Sequence, residues 1–566
     1  MMSHSPFRLA TAGLLRASSF PVWLVLNTWR NRMLNRSKVV EVEISSRSIE
    51  QWTQGSSAWN SLYMLKDVEG VSTICLVLKA VPAGWNTIWA FRDVLRSLKE
   101  AGKSIFVLIE TSDARALWMT ACADSIWIQH GVELFWSGIG GRHNFYGALL
   151  EKYGVQADIE AAGAFKSFGE SYVRTEPSEE NRTQMLALYR SLLDELLNNL
   201  IEDSGLDEQA LHDLLHQTPI SIERLMDVGL VVGEGDVHSV KERVHEYTDN
   251  DSRTIDFSLY QRWHRWAEWW KWGQVGTIVA VVHLEGSISD FDTDQNGIVA
   301  DKVVRQLDDL AKHPWIEAVV LKINSPGGSA IASDRIARAV ERLRTHKKVI
   351  AYMESVAASG GYYISAVTDW IWASPQTITG SIGVVGGKLV LGRALEEQGI
   401  QAHTLSVGGE SDFLDWWRPF NDSQRVRFRE FLERTYDRFS QVVSKGRRMS
   451  TEAVEEVAQG RVWTGTQALE CGLVDKLGTF EDALSDLAGH LQCSRESLHL
   501  AHIRNEVRGW KKWRKKLFGV QLESASSVEQ QLLKRAPLLV QSIAANPSEA
   551  LLLLPFDTAG LDGFDT

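Results

Sequence analysis

Cysteine is nearly missing from this 566-residue chain. The four present, Cys75, Cys122, Cys471 and Cys493, lie far apart and show no CxxC or other ligand-like spacing. That pattern indicates neither a disulfide framework nor a metal site, and reads as buried free thiols. An excess of basic charge is missing as well: the net charge is −12, which argues against a nucleic-acid-binding protein. A clean membrane-spanning run is also lacking. Residues 9–26 are apolar on average, but Arg16 and Pro21 interrupt them and no small-residue cleavage site follows. A cleaved signal peptide is therefore not expected. Residues 1–37 read as an apolar segment with a basic end (Arg30, Arg32, Arg36, then Lys38). Such a segment lies on a membrane surface, packs on the body of the protein, or anchors it; as an anchor, its basic flank would keep the body on the cytoplasmic side.

The chain does have the makings of a large folded protein. Hydrophobic residues make up 44% and charged residues 23%, ordinary for globular chains, and the length calls for two or more domains. Strand and helix patterns alternate at short intervals. Val39–Ile44, Val71–Leu78 and Ile105–Ile109 read as strands, with a helix over Trp89–Ala101. Further on, strands Thr277–His283, Ala318–Ile323 and Val349–Met353 alternate with helices Ala300–Ala311 and Ser333–Arg344. This order predicts βαβ units and parallel sheet.

The two halves also read as copies of one another. Ser104–Glu110 followed by Thr111-Ser112-Asp113-Ala114-Arg115 resembles Lys348–Glu354 followed by Ser355–Tyr363, with Glu110 and Glu354 separated by 244 positions. Asp124-Ser125-Ile126-Trp127 meets Asp369-Trp370-Ile371-Trp372 at a separation of 245, and Leu225–Val231 resembles Leu469–Val474. The expected organisation is a first copy at 38–245 and a second at 274–490, each with a helical hairpin (Arg182–Gly205 and Ser423–Gly446). A Trp-rich helix lies in the 246–273 linker and a tail covers 491–566. Ser359 of the second copy falls opposite Ala114 or Arg115, and Lys166 of the first falls opposite Ser411. Each copy thus keeps one member of a Ser–Lys pair.

The surroundings of these residues suit catalysis. Asn324-Ser325-Pro326-Gly327-Gly328 joins a strand to a helix, and its glycines let the backbone turn sharply and expose amide groups to an anion. Ala357-Ala358-Ser359-Gly360-Gly361 repeats the arrangement one unit later. The Gly328 and Gly360 amides are candidate oxyanion donors and Ser359 a candidate nucleophile, although a serine there also suits a helix cap. A serine hydroxyl needs a base. None of the 15 histidines sits in a comparable glycine-framed setting. Lys166, in the small and apolar run Ala161-Ala162-Gly163-Ala164-Phe165, is the alternative, because desolvation lowers an ammonium's pKa.

These motifs, with Thr379-Gly380-Ser381-Ile382-Gly383-Val384 and Gly460-Arg461-Val462-Trp463-Thr464-Gly465 ending in Gly472-Leu473-Val474-Asp475, resemble the signal peptide peptidase A (protease IV) family in its long, tandem-domain form. The resemblance covers roughly 38–490. It implies an α/β fold of tandem ClpP/crotonase-like ββα superhelix domains with helical insertions. It also implies a serine endopeptidase that degrades cleaved signal peptides and other extended apolar peptides. Ser359 would be the nucleophile, Lys166 the general base and Ser381 the hydroxyl holding the amine, with Gly328 and Gly360 forming the oxyanion hole. No cofactor, metal or nucleic acid is implied. The expected setting is a homotetramer associated with a membrane, the bacterial inner membrane for this family, and the dyad forms within one chain or between chains. Two other readings use the same residues: a crotonase-like acyl-CoA enzyme with paired amides but no required Ser–Lys pair, and a non-catalytic membrane scaffold. The latter draws on the Trp263, Trp266 and Trp270 stripe, which suits a membrane interface or a buried inter-domain helix. It also draws on the basic-aromatic run Trp510–Phe518, which suits anionic lipid or a solvated turn.

Overall fold

The computed structural model describes residues 38–49, 52, 56–82, 84–216, 218–248, 253–262, 276–290, 297–405, 407 and 409–504. The N-terminal segment 1–37, the Trp263–Trp272 stripe and the tail beyond 504 lie outside the described residues. Among the described residues, no helix is long and apolar enough to cross a membrane.

The chain divides into two compact units. The first takes in the described parts of Met1–Ile139, Leu192–Thr277 and Thr479–His499. Its centre is a six-stranded sheet in the order Gly233–Gly235, Ser125–Gln129, Ser104–Ile109, Thr73–Leu78, Val39–Ile44, Thr254–Asp256, and every neighbouring pair is parallel. All six residues of Thr73–Leu78 are buried, as a strand covered on both faces requires.

The second unit takes in the described parts of Gly140–Ser191, Ile278–Gly478 and Leu500–Thr566. Its main sheet runs Val462–Thr464, Ile378–Gly380, Lys348–Ala358, Ile316–Ser325, Thr277–Glu285, Leu498–Ile503. The Lys348–Ala358 strand divides its partners. Ile350–Met353 pair with Trp370–Ala373, and Val356–Ala358 pair with Ile378–Gly380. The change happens at a register shift, where one residue of one strand, Asn324, opposes three of the other, Glu354–Val356, between the pairs Ile323/Met353 and Ser325/Ala357. The Asn324 side chain accepts from the Val356 amide at 3.2 Å and satisfies a donor that the shift leaves out of the ladder. The sequence pattern ended this strand at Met353, because its small residues beyond the bulge carry no apolar alternation. Helices Ala300–Lys312 and Ala330–Arg344 pack Val303, Leu307, Ile336 and Val340 against Val282, Leu321 and Met353 of the sheet.

Each segment expected to be a helical hairpin is instead one helix of 26 residues, Glu179–Ser204 and Asp422–Arg447. No proline or internal turn signal breaks either before its end. The second starts from a full capping box between Asn421 and Gln424. A separate antiparallel ribbon pairs Gln156–Ala162 with Val384–Val390 over seven positions.

Beneath the second sheet, the Lys322 amine lies 2.7 Å from Glu354 Oε1, with side chains 5% and 17% exposed. Removing one member of a buried pair leaves the other charge uncompensated. Lys322→Met is therefore expected to lower stability by about 3–5 kcal/mol, read as a drop in the urea midpoint. Lys322→Met/Glu354→Leu should recover most of that loss, and equal losses in the single and double variants would disprove the pairing energetics.

Candidate active site

Two segments far apart in sequence meet in the second unit because of strand register. In the antiparallel ribbon Ala162 stands opposite Val384. Lys166 lies four residues past Ala162 and Ser381 three residues before Val384, so the pairing carries both to the same end of the ribbon. The Lys166 amine lies 2.9 Å from both the Ser381 carbonyl oxygen and Ser381 Oγ, and 3.1 Å from Ser359 Oγ. The three residues come from one chain.

Ser359 reaches this point at the end of the divided strand. Its backbone has φ 52° and ψ −115°, a conformation sparsely populated by residues with a Cβ. Two hydrogen bonds hold it there: its amide donates to the Gly380 carbonyl at 2.9 Å, and its carbonyl accepts from the Tyr363 amide at 2.8 Å. Gly380 immediately precedes Ser381, so one strand end fixes both hydroxyl-bearing residues. The turn at Gly327 packs directly on the serine. A Cβ at Gly327 would stand 2.7 Å from Ser359 Cβ, and the residue takes φ 107°, so only glycine fits.

Two amides border the serine. The short pairing of Ile288 with this turn uses the Gly327 carbonyl and the Ser329 amide, both at 2.8 Å. In a parallel bridge of that form the intervening Gly328 amide points the other way. Gly360 opens the helix Gly360–Ala366, where the first amides have no intrahelical acceptor. Among the described residues neither amide donates a backbone hydrogen bond.

The electrostatics follow from burial. Lys166 as a residue is half-buried, but its amine is enclosed among the two serines, and desolvation lowers its pKa from 10.5 to about 7. At that value a large share of the amine is neutral near pH 7. A neutral amine has two N–H groups and one lone pair. The Ser381 carbonyl can only accept, so it takes one N–H; Ser381 Oγ accepts the other, and the lone pair faces the Ser359 hydroxyl. The arrangement can withdraw a proton from Ser359. Among the described residues no cluster of His, Cys, Asp or Glu is able to hold a metal ion.

The sequence motifs named Lys166, Ser359, Ser381, Gly328 and Gly360, and all five lie in the second unit. The sequence motifs assign no role to Gln459-Gly460-Arg461. These residues form a layer between the lysine segment and the Ser381 strand: the Gly460 amide donates to the Ile382 carbonyl and the Ser381 amide to the Arg461 carbonyl, each at 2.7 Å. The glycine in that motif was the available signal.

A family model, Peptidase family S49, matches residues 97–244 and again 341–494. The chain is similar to a chloroplastic serine protease, SPPA, of Arabidopsis thaliana, at 28% identity over 73% of this chain and 62% of that protein. It is 29% identical to Protease 4 of Haemophilus influenzae over 68% of this chain and 65% of that protein. It is 27% identical to Protease 4 of Salmonella typhi, over 76% and 71%. The chain therefore spans just under two thirds of the length of the first two relatives.

A desolvated lysine makes stability depend on pH. Its folded pKa, about 7, lies below the unfolded value of 10.5, so the unfolded chain binds the extra proton between those limits. The neutral amine carries no penalty above pH 10.5. The penalty grows as pH falls through the window and is complete below about pH 7. Lys166→Met should thus raise the melting temperature at pH 7 and flatten the dependence between pH 7 and 10. A methionine variant less stable than the parent at pH 7 would contradict the burial of this amine.

Proposed function

Starting from the fact that the chain belongs to peptidase family S49, we propose that it is a serine endopeptidase working through a Ser359–Lys166 dyad. The observation that carries this reading is the Lys166 amine, held at 2.9 Å by two oxygens of Ser381 and lying 3.1 Å from the Ser359 hydroxyl. The neutral amine takes the Ser359 proton as Oγ attacks the scissile carbonyl carbon. The carbonyl oxygen becomes an oxyanion and accepts from the Gly328 and Gly360 amides, each such donor contributing about 2.7–4 kcal/mol. The protonated amine then gives its proton to the leaving nitrogen as the C–N bond breaks, which leaves an acyl ester on Ser359. Lys166 next deprotonates a water that attacks the ester, and collapse of the second oxyanion releases the acid and restores the serine.

The wider reading rests on the same family. The sheets of both units contain three consecutive parallel strands, at Thr73–Leu78, Ser104–Ile109 and Ser125–Gln129 and at Ile316–Ser325, Lys348–Ala358 and Trp370–Ala373. With two matches to one family model, this supports tandem ClpP/crotonase-like copies at 38–245 and 274–490, with Gly140–Ser191 of the first copy belonging to the second compact unit. Substrates in this proposal are cleaved signal peptides and other extended apolar chains, and the working form is a homotetramer at a membrane surface.

Ser359→Ala and Lys166→Ala should each abolish hydrolysis of an apolar fluorogenic peptide while leaving circular dichroism unchanged. In the parent, reaction of Ser359 with an alkyl fluorophosphonate should accelerate with pH through about 7, as the amine of Lys166 loses its proton, and level off above. Near-parental turnover in folded Lys166→Ala, or a flat labelling profile between pH 6 and 9, rules the dyad out.

A further inference from the structure

Four rotatable bonds separate a lysine backbone from its amine, so the backbone must be fixed if the amine is to meet one hydroxyl. We infer that Gln184 is the positioning residue that fixes it, an assignment that rests on the Ser–Lys reading above. Gln184 lies in the helix Glu179–Ser204 and is 3% exposed. Its Nε2 donates to the Phe165 carbonyl and to Ser167 Oγ, both at 3.0 Å. These residues are the immediate neighbours of Lys166 on either side. Its Oε1 accepts from the Val462 amide at 3.4 Å. Val462 belongs to the strand Val462–Thr464, which pairs antiparallel with Ile378–Gly380, directly before Ser381. One side-chain amide therefore ties the lysine segment to the strand system that carries the lysine's anchor.

The opposite side of the segment is closed by a backbone contact. The Phe165 amide donates to the Gln459 carbonyl at 2.8 Å. Gly460, at φ 82°, lies so close that a Cβ there would stand 2.5 Å from the Lys166 nitrogen and 2.6 Å from its Cβ. The Arg461 guanidinium lies 4.2 Å from the Trp463 ring centre and 5.5 Å from that of Phe165. The helix is itself held: Ser191, seven residues on and so on the same face, places Oγ 2.8 Å from Thr464 Oγ1. Lys166 is thus gripped between a helix and a glycine turn, and both grips trace to the Val462–Thr464 strand and its approach.

A buried glutamine satisfied at both ends also contributes to stability, so the test needs a readout that stability does not move. Gln184→Met keeps the volume and removes all three hydrogen bonds. It should lower kcat on an apolar fluorogenic peptide by about 10- to 100-fold, with KM within about twofold, because an ångström of misplacement acts on the chemical step. The apparent pKa governing fluorophosphonate labelling should also rise above that of the parent, as the released amine regains water. Gly460→Ala pushes the same segment from the other side without adding charge and should give the same pair of changes, which decides the matter if Gln184→Met does not fold. Lys166→Ala is measured in parallel. An inactive Lys166→Ala beside folded Gln184→Met of parental kcat and pH profile overturns the positioning role alone. An active Lys166→Ala overturns the dyad instead. Activity lost only in proportion to unfolded protein, with the labelled remainder keeping the parental profile, assigns Gln184 to stability and also overturns the inference.

Discussion

Keeping one amine out of water is the constraint on which this site depends. A solvated lysine near pH 7 is almost wholly protonated and has no lone pair to offer, whereas burial brings the Lys166 pKa to about 7. Burial without partners would be costly for the N–H groups as well as for the charge. Ser381 resolves this by presenting two oxygens at 2.9 Å, one of them a carbonyl that can only accept. The same two contacts that make a neutral amine tolerable also orient it, because they leave a single unoccupied direction, toward Ser359. Desolvation and orientation are therefore one arrangement rather than two, and Ser381 matters to both.

The fold supplies that arrangement through strand ends. Lys348–Ala358 changes partner midway, and the change brings its last residues beside Ile378–Gly380. Ser359 and Ser381 then follow two adjacent strands, and the Ser359 amide is tied to the Gly380 carbonyl. Both serines take φ 52°. Positive φ at two non-glycine residues in one site is a local conformational expense, held in place by hydrogen bonds from the surrounding strands. The lysine arrives by a different route, an antiparallel ribbon, so the site closes where parallel and antiparallel pairing meet.

Much of this was legible in the sequence, and the failures have physical causes. Small residues around Ser359 and the Pro326-Gly327-Gly328 turn announced close backbone approach, and the structure accounts for them by the 2.7 Å that a Cβ at Gly327 would leave to Ser359. The separation of 245 between related segments pointed to Lys166 and Ser359 as complementary survivors. The ribbon register that joins Lys166 to Ser381 was not legible, since Val384–Val390 contains two glycines and lacks clear alternation. The bulge at Glu354–Val356 was hidden for a similar reason: its stabilising partner, Asn324 Oδ1, lies on another strand. Gln184 gave no signal at all. A glutamine in a helix of mixed polarity reads as surface until tertiary structure buries it.

Stability and chemistry pull against each other at this lysine. The folded state would be more stable if the amine were solvated or replaced by an apolar group, because each unit of pKa depression is a penalty of about 1.4 kcal/mol whenever the unfolded chain is protonated. The penalty persists only if neighbouring structure is strong enough to keep the segment in place. That explains why the lysine segment is gripped so heavily for its length, by Gln184 on one side and by the Gln459–Arg461 layer on the other, while adjacent Ala161 and Ala164 remain exposed. The hydrogen bonds are concentrated on the three residues whose placement decides where a lone pair points.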